Sequence, residues 1–161
     1  MPEVSVKGNK IQNSTATGHI KVKKPNEYTC EAGYMNGEFY SGYWSGGICY
    51  GVLTPPSSSH SYNYISATIE GQINEGSSNV FVNGKEVVYS GAKTSEKDTY
   101  SVPSGWSYDS GSHTNATGSV TGGSSTVFVN GKPLARKSDK VTTHGGSTPT
   151  ISEGSSNVFS G

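Results

Sequence analysis

One line is written twice in this chain and begun a third time. It reads "GSSNVFVNGK" from Gly76, "GSSTVFVNGK" from Gly123 and "GSSNVFSG" from Gly154. Between Gly76–Val87 and Gly123–Leu134, nine of twelve positions are identical. A repeat constrains the fold more than any single motif, because each copy is one unit that must stack on the others to bury its apolar face. Reading backwards, Ile73, Val120 and Ile151 each stand three positions before their Gly. The unit is thus an apolar residue, two spacers, Gly-Ser-Ser, one spacer and Val-Phe, present three times.

The local signals in this unit are those of strands. Asn83-Gly84 and Asn130-Gly131 are Asn-Gly pairs, which favour the tight hairpin turn whose two central residues need positive φ. "GKEVV" and "GKPLA" supply the return strands. No segment keeps apolar residues at helical spacing over a helical length. The reading is an all-β chain built from short strands and sharp turns.

Composition narrows the function. Twelve basic and twelve acidic residues cancel, so no net field draws the chain to nucleic acid or to an anionic membrane. The 161 residues, only 30% hydrophobic, favour one domain with a thin core. No apolar run is long enough to span a membrane. The opening "MPEVSVKGNK" lacks a basic segment followed by an apolar one, so no secretory signal is expected. Cys30 and Cys49 are too few for a disulfide framework and read as two thiols in a Tyr/Gly-rich loop.

The histidines fall into the register of the repeat. His113 lies ten residues before Gly123, and His144 ten before Gly154. "VSVKGNK" (Val4 to Lys10) matches "VFVNGKP" from Val127, and His19 follows Val4 by 15 residues where His144 follows Val127 by 17. The N-terminal segment is therefore expected to complete the third unit, so that residues 4–10 meet residues 154–161 and close a ring of three. Equivalent residues then converge on the axis. His19, His113 and His144, with His60 as the fourth ligand, are the candidate metal site, since imidazole is the commonest metal ligand. Cys30 or Cys49 is the alternative fourth ligand. Four protein ligands read as a structural site with zinc, iron being the alternative.

The line "GSSTVFVNGKPLARKSDKVTTHGG" from Gly123, followed by "ISEGSSNVF" from Ile151, resembles the PAAR-repeat proteins. Their Pro-Ala-Ala-Arg tetrapeptide is represented here by Pro133-Leu134-Ala135-Arg136, with Asp139 and His144 in the family order. The resemblance covers about residues 66–90 and 115–161, and more weakly 4–19. It implies a short conical β-structure with pseudo-three-fold symmetry, its point held by one metal ion. It also implies a spike tip that caps a trimeric β-helical spike, one chain per trimer, and that meets the target cell envelope transiently. Val80, Phe81, Val127, Phe128, Val158 and Phe159 are the candidate docking residues at its base. The whole chain, 1–161, is expected to be one such domain, with Tyr/Gly/Ser-rich insertions at about 20–60 and 88–112.

A bare tip without a further effector segment favours the baseplate of a phage tail, that is, the virion, over a type VI secretion machine. A competing reading is a glycan-binding or adhesive module that uses Tyr40, Tyr43, Trp44, Tyr62, Tyr64, Trp106 and Tyr108. An enzyme is not expected, nor a small-molecule substrate. Asp109, Asp139 and Glu153 are available as a base, but none shares the repeated register with a partner acid, and no nucleophile elbow, Ser-His-Asp ordering or phosphate-binding loop is present.

Overall fold

A computed structural model describes residues 1–161. It contains strands, turns and bridges and no helix. The three units form a ring, and its closure is visible in single hydrogen bonds. The Ser5 N–H donates to the Ala135 carbonyl, the Ala135 N–H to Val88 and the Val88 N–H to Ser5, each at 3.0 Å. Those three residues occupy one position in three units. The N-terminal segment seals the third unit through the Val4 N–H to the Val158 carbonyl (2.9 Å) and the Ser155 N–H to the Val4 carbonyl (2.8 Å). The expected meeting of residues 4–10 with 154–161 is therefore present.

The alignment of that segment differs from the one expected. Val4 takes the place of Val87 and Leu134, not of Val127. The bonds from Val87 to Val80 and from Leu134 to Val127 are the counterparts of the bond from Val4 to Val158. The error of seven residues arises because the N-terminal return arm reads Val-Ser-Val-Lys-Gly and so matches Val-Phe-Val-Asn-Gly of the outgoing arms, and an alternating pattern cannot tell one arm from the other.

The repeated Gly-Ser-Ser has a physical cause. A side chain on Gly76, Gly123 or Gly154 would put its Cβ 2.7, 2.7 or 2.6 Å from the Cβ of Glu86, Pro133 or Glu3, the equivalent residues of the return strands. The first Ser of each copy (Ser77, Ser124, Ser155) is buried, and its hydroxyl accepts backbone N–H groups of the following turn. The hairpins Phe81–Val82 with Lys85–Glu86 and Phe128–Val129 with Lys132–Pro133 then form as anticipated. Their Asn83 and Asn130 have φ of 50° and 51°. Asn130 Nδ2 donates to Ser77 and Asn79 of the neighbouring unit, and Asn83 Nδ2 to Ser155 and Asn157, so each hairpin tip is tied to the next unit.

Two apolar layers fill the ring. Val4, Val87, Val129 and Leu134 lie towards the hairpin tips. The larger layer is Ile11, Ile73, Val88, Ala92, Val120, Ala135, Val141 and Ile151. Burying one such aliphatic side chain contributes about 1.5–3 kcal/mol. The three residues that open the repeat, Ile73, Val120 and Ile151, are all in this layer. The second expected insertion begins later than position 88: Val88 and Ala92 are core residues of the first unit, and the chain leaves the repeat only beyond the strand Thr94–Thr99.

Short strands are not the whole vocabulary. The strands Ser14–Pro25 and His60–Ile73 pair over most of their length, with Thr94–Thr99 and Ser107–Ser110 on the two edges of one antiparallel four-stranded sheet. This stalk has its own small core of Ile20, Val22 and Ala67, against which Trp106 and Tyr100 pack. It carries residues 26–59, folded as a small stack of two hairpins, Gly33–Met35 with Glu38–Tyr40 and Tyr43–Ser45 with Ile48–Tyr50, enclosed by the pairing of Thr29–Glu31 with Val52–Thr54. Cys30 and Cys49 are joined there as a disulfide, with Cα atoms 5.6 Å apart. That corrects the reading of two free thiols and removes both from the candidate ligands. Their separation of 19 positions conceals the pairing, because only the hairpin stack brings them together.

Candidate metal centre

The inner ends of the long strands converge where the ring meets the stalk. His19 lies in a bulge: Ala16 pairs with Ala67 and Ile20 with Ile65, so three residues on one strand face one on the other. Gly18, at φ +64°, allows the local turn, and bulges commonly serve to re-aim a side chain. His113 lies on the returning segment, its carbonyl accepting the Asp98 N–H at 2.9 Å. His144 sits at the tip of a tight turn closed by the Thr143 N–H to the Ser147 carbonyl (2.9 Å).

These three rings face one another, with centroids 4.9–5.5 Å apart. The structure therefore brings together the three histidines that the sequence placed in one register. The fourth member is Asp98. Its Oδ2 is 3.1 Å from His19 Nε2 and 3.1 Å from His113 Nδ1, and its Oδ1 is 3.0 Å from His144 Nε2. The ligand atoms of all four residues lie within 4.8 Å of one another.

His60 lies elsewhere. It opens the second long strand opposite Pro25, which pairs five residues beyond Ile20, roughly 16 Å along the sheet from the Ile20–Ile65 pair at strand rise. Its Nδ1 faces Ser59 Oγ at 3.1 Å. The strand pairing extends the polypeptide away from the ring at this point, so His60 cannot return to the axis.

Sequence reading missed Asp98 and its neighbour Glu96. In Thr94-Ser95-Glu96-Lys97-Asp98, alternate residues share a strand face, and Thr94, Glu96 and Asp98 turn inward. The signal was the alternation of small or acidic residues with Ser and Lys. Glu96 and Asp98 side chains are fully buried, His144 is nearly so, and His113 is half-exposed. Burial pushes the Asp98 carboxyl up. Hydrogen bonds from the backbone and ring of His113, with the fields of His144 and His19, outweigh that and hold it below its ordinary value.

The donor set fits a metal ion. Ligands about 2.0–2.1 Å from a tetrahedral ion are about 3.3 Å apart; the three distances to Asp98 are close to this, and the widest gap needs a side-chain adjustment of about 1 Å. Three imidazoles and one carboxylate suit zinc, iron or a similar divalent ion.

The acids weighed earlier are engaged elsewhere. Asp139 is bidentate to Arg136 at 3.1 and 3.2 Å, Asp109 faces Lys21 and Lys23, and Glu153 accepts the Lys10 N–H.

At the opposite end of the ring, Phe81, Phe128 and Phe159 are about half exposed; Val80 and Val127 are exposed to a lesser degree, and Val158 packs partly against the lower core layer. Ring closure, repeated hairpins and a His/Asp cluster define a small all-β protein of pseudo-three-fold units. Residues 110–161, the segment that carries His113, Asp139 and His144, match the family model of the PAAR motif, so this part of the chain is similar to PAAR-motif proteins. No curated protein matches the chain.

Proposed function

We propose that this protein is a metal-stabilised tip that caps the trimeric β-helical spike of a contractile injection machine, one chain per trimer, with a phage tail baseplate favoured and a type VI spike as the alternative. The observation that carries the reading is the three-membered backbone ring of Ser5, Val88 and Ala135. It gives a single chain the rotational symmetry of three. The base below it presents Phe81, Phe128 and Phe159, with Val80, Val127 and Val158, as three similar patches. A trimer's blunt end offers three equivalent surfaces, so one chain satisfies all of them.

The whole chain serves as one unit in this reading. His19, His113, His144 and Asp98 hold one structural ion, zinc before iron. A divalent charge offsets the two buried carboxylates of Asp98 and Glu96. The ion supplies a cross-link among four segments where the ring narrows into the stalk, and metal staples of this kind are common where a core is thin. The histidines are not the foremost point, because the stalk extends past them. Residues 26–59 lead, and they contact the target envelope first.

Co-purification with the spike tests the proposal: one chain per three spike chains is expected, and a three-to-three ratio overturns it. A second reading, a glycan-binding head, draws on the exposure of Tyr34, Tyr43 and Trp44 on the hairpin stack. Binding to glycans without binding to a trimeric spike favours it.

A further inference from the structure

We infer that Glu96 is the positioning carboxylate of the cluster, holding the His144 ring so that Nδ1 donates to the protein and the Nε2 lone pair faces the ion. This rests on the metal reading proposed above.

Glu96 is buried, and so is Thr94 beside it. A carboxylate is stable in such a place only when its oxygens are paired. Oε1 accepts the His144 backbone N–H at 2.9 Å and lies 2.7 Å from His144 Nδ1. Oε2 accepts the Thr94 hydroxyl, and Thr94 Oγ1 in turn accepts the Gly118 N–H at 3.0 Å. Both oxygens are thus turned to one ring and its supports. Glu96 is outside the set of mutually close ligand atoms, which is His19, Asp98, His113 and His144. The pocket around it is closed: a Cβ on Gly118 would fall 2.2 Å from Oε2.

A neutral imidazole has one donor nitrogen and one acceptor nitrogen. Fixing the donor at Nδ1 leaves Nε2 as the acceptor, and His144 Nε2 is the nitrogen that faces Asp98 within the cluster. Ligating histidines are commonly oriented by such an outer carboxylate. The other two rings lack this support, since the only side-chain hydrogen bonds of His19 and His113 are those to Asp98. The cluster therefore has one ring set before binding and two that adjust to the ion.

The test uses the full chain, zinc(II) as the sole metal, a competing chromogenic chelator, and nitrogen-15 spectra of the imidazoles. Glu96→Leu is expected to weaken zinc binding by about 10- to 100-fold, with Glu96→Gln, which keeps a carbonyl acceptor, falling between it and wild type. The zinc-loaded wild type should show His144 protonated at Nδ1. Zinc affinity in both variants within about two-fold of wild type, with unchanged His144 spectra, overturns the assignment and leaves the metal reading intact. Should Glu96→Leu fail to fold, Glu96→Gln decides by the same criterion. Should wild type take up no zinc, the metal reading fails, and the metal-free protein at alkaline pH decides for Glu96. The Nδ1–H form of His144 supports it and the Nε2–H form overturns it.

Discussion

Replacing His144 or His113 by Ala should abolish metal binding equally but lower the stability of the metal-free protein unequally. His144 is the buried ring, 9% exposed, set between two carboxylates that are 0% exposed. Removing the partner of a buried carboxylate leaves an uncompensated buried charge, which typically costs roughly 3–5 kcal/mol. The His113 ring is 49% exposed and faces Asp98 alone. Solvent-screened pairs are worth about 0–1 kcal/mol, and the His113→Ala variant keeps the backbone N–H that also reaches Asp98. Metal adds a second contribution: free ion at 100 times its Kd stabilises by about 2.7 kcal/mol, lost in both variants. Urea denaturation with and without chelator, beside elemental mass spectrometry, separates the two. In chelator, His144→Ala should lose about 3 kcal/mol or more and His113→Ala about 1 or less. Equal losses in chelator refute the burial argument. Full metal content in both variants refutes the site.

Further outcomes are open to measurement. Gly123→Ala forces a Cβ against the rigid Pro133 ring and should cost about 1–3 kcal/mol, with similar losses for Gly76→Ala and Gly154→Ala; a loss confined to one of the three denies their equivalence. In the metal-free protein, the depressed Asp98 contributes stability that is fully present above its unfolded value near 3.9 and is lost as pH falls through its lower folded value. The stability gap between wild type and Asp98→Asn should therefore shrink as pH falls below about 4; a gap unchanged into stronger acid contradicts this. Reduction of Cys30–Cys49 should open residues 26–59 to proteolysis while leaving metal content unaltered, because only Gly51 is buried in that segment. Simultaneous loss of metal would show that the hairpin stack and the cluster are coupled.

What was legible in the sequence was what repeats. Gly-Ser-Ser and Asn-Gly are demanded by a close approach and by positive φ, so they recur wherever the geometry recurs. The shared spacing of His113 and His144 follows from the same geometry: each precedes a strand that re-enters the ring in the same register. Asp98 has no counterpart in the other units and was hidden for that reason. The position of His60 depends on which strand it opens and how far that strand runs, and those are long-range pairings with Ser14–Pro25 that no local pattern records. Asn36-Gly37 carries the same turn signal as Asn83-Gly84, with φ of 51° and 83°, and marks one hairpin of the stack. The pairing of Cys30 with Cys49 required the whole stack to be known.

The ring and the hairpin stack differ in symmetry, and this has a consequence for any assembly built on the proposed docking. Three similar patches around Phe81, Phe128 and Phe159 let the chain seat on a three-fold support in three rotational settings of nearly equal energy. The stack of residues 26–59 exists once, so it points in one of three directions in each particle. A population of assembled particles is then a mixture of three azimuths. An image averaged with three-fold symmetry would show the ring sharply and the stack at one-third weight. The foremost part of the molecule would be the part such a map loses first.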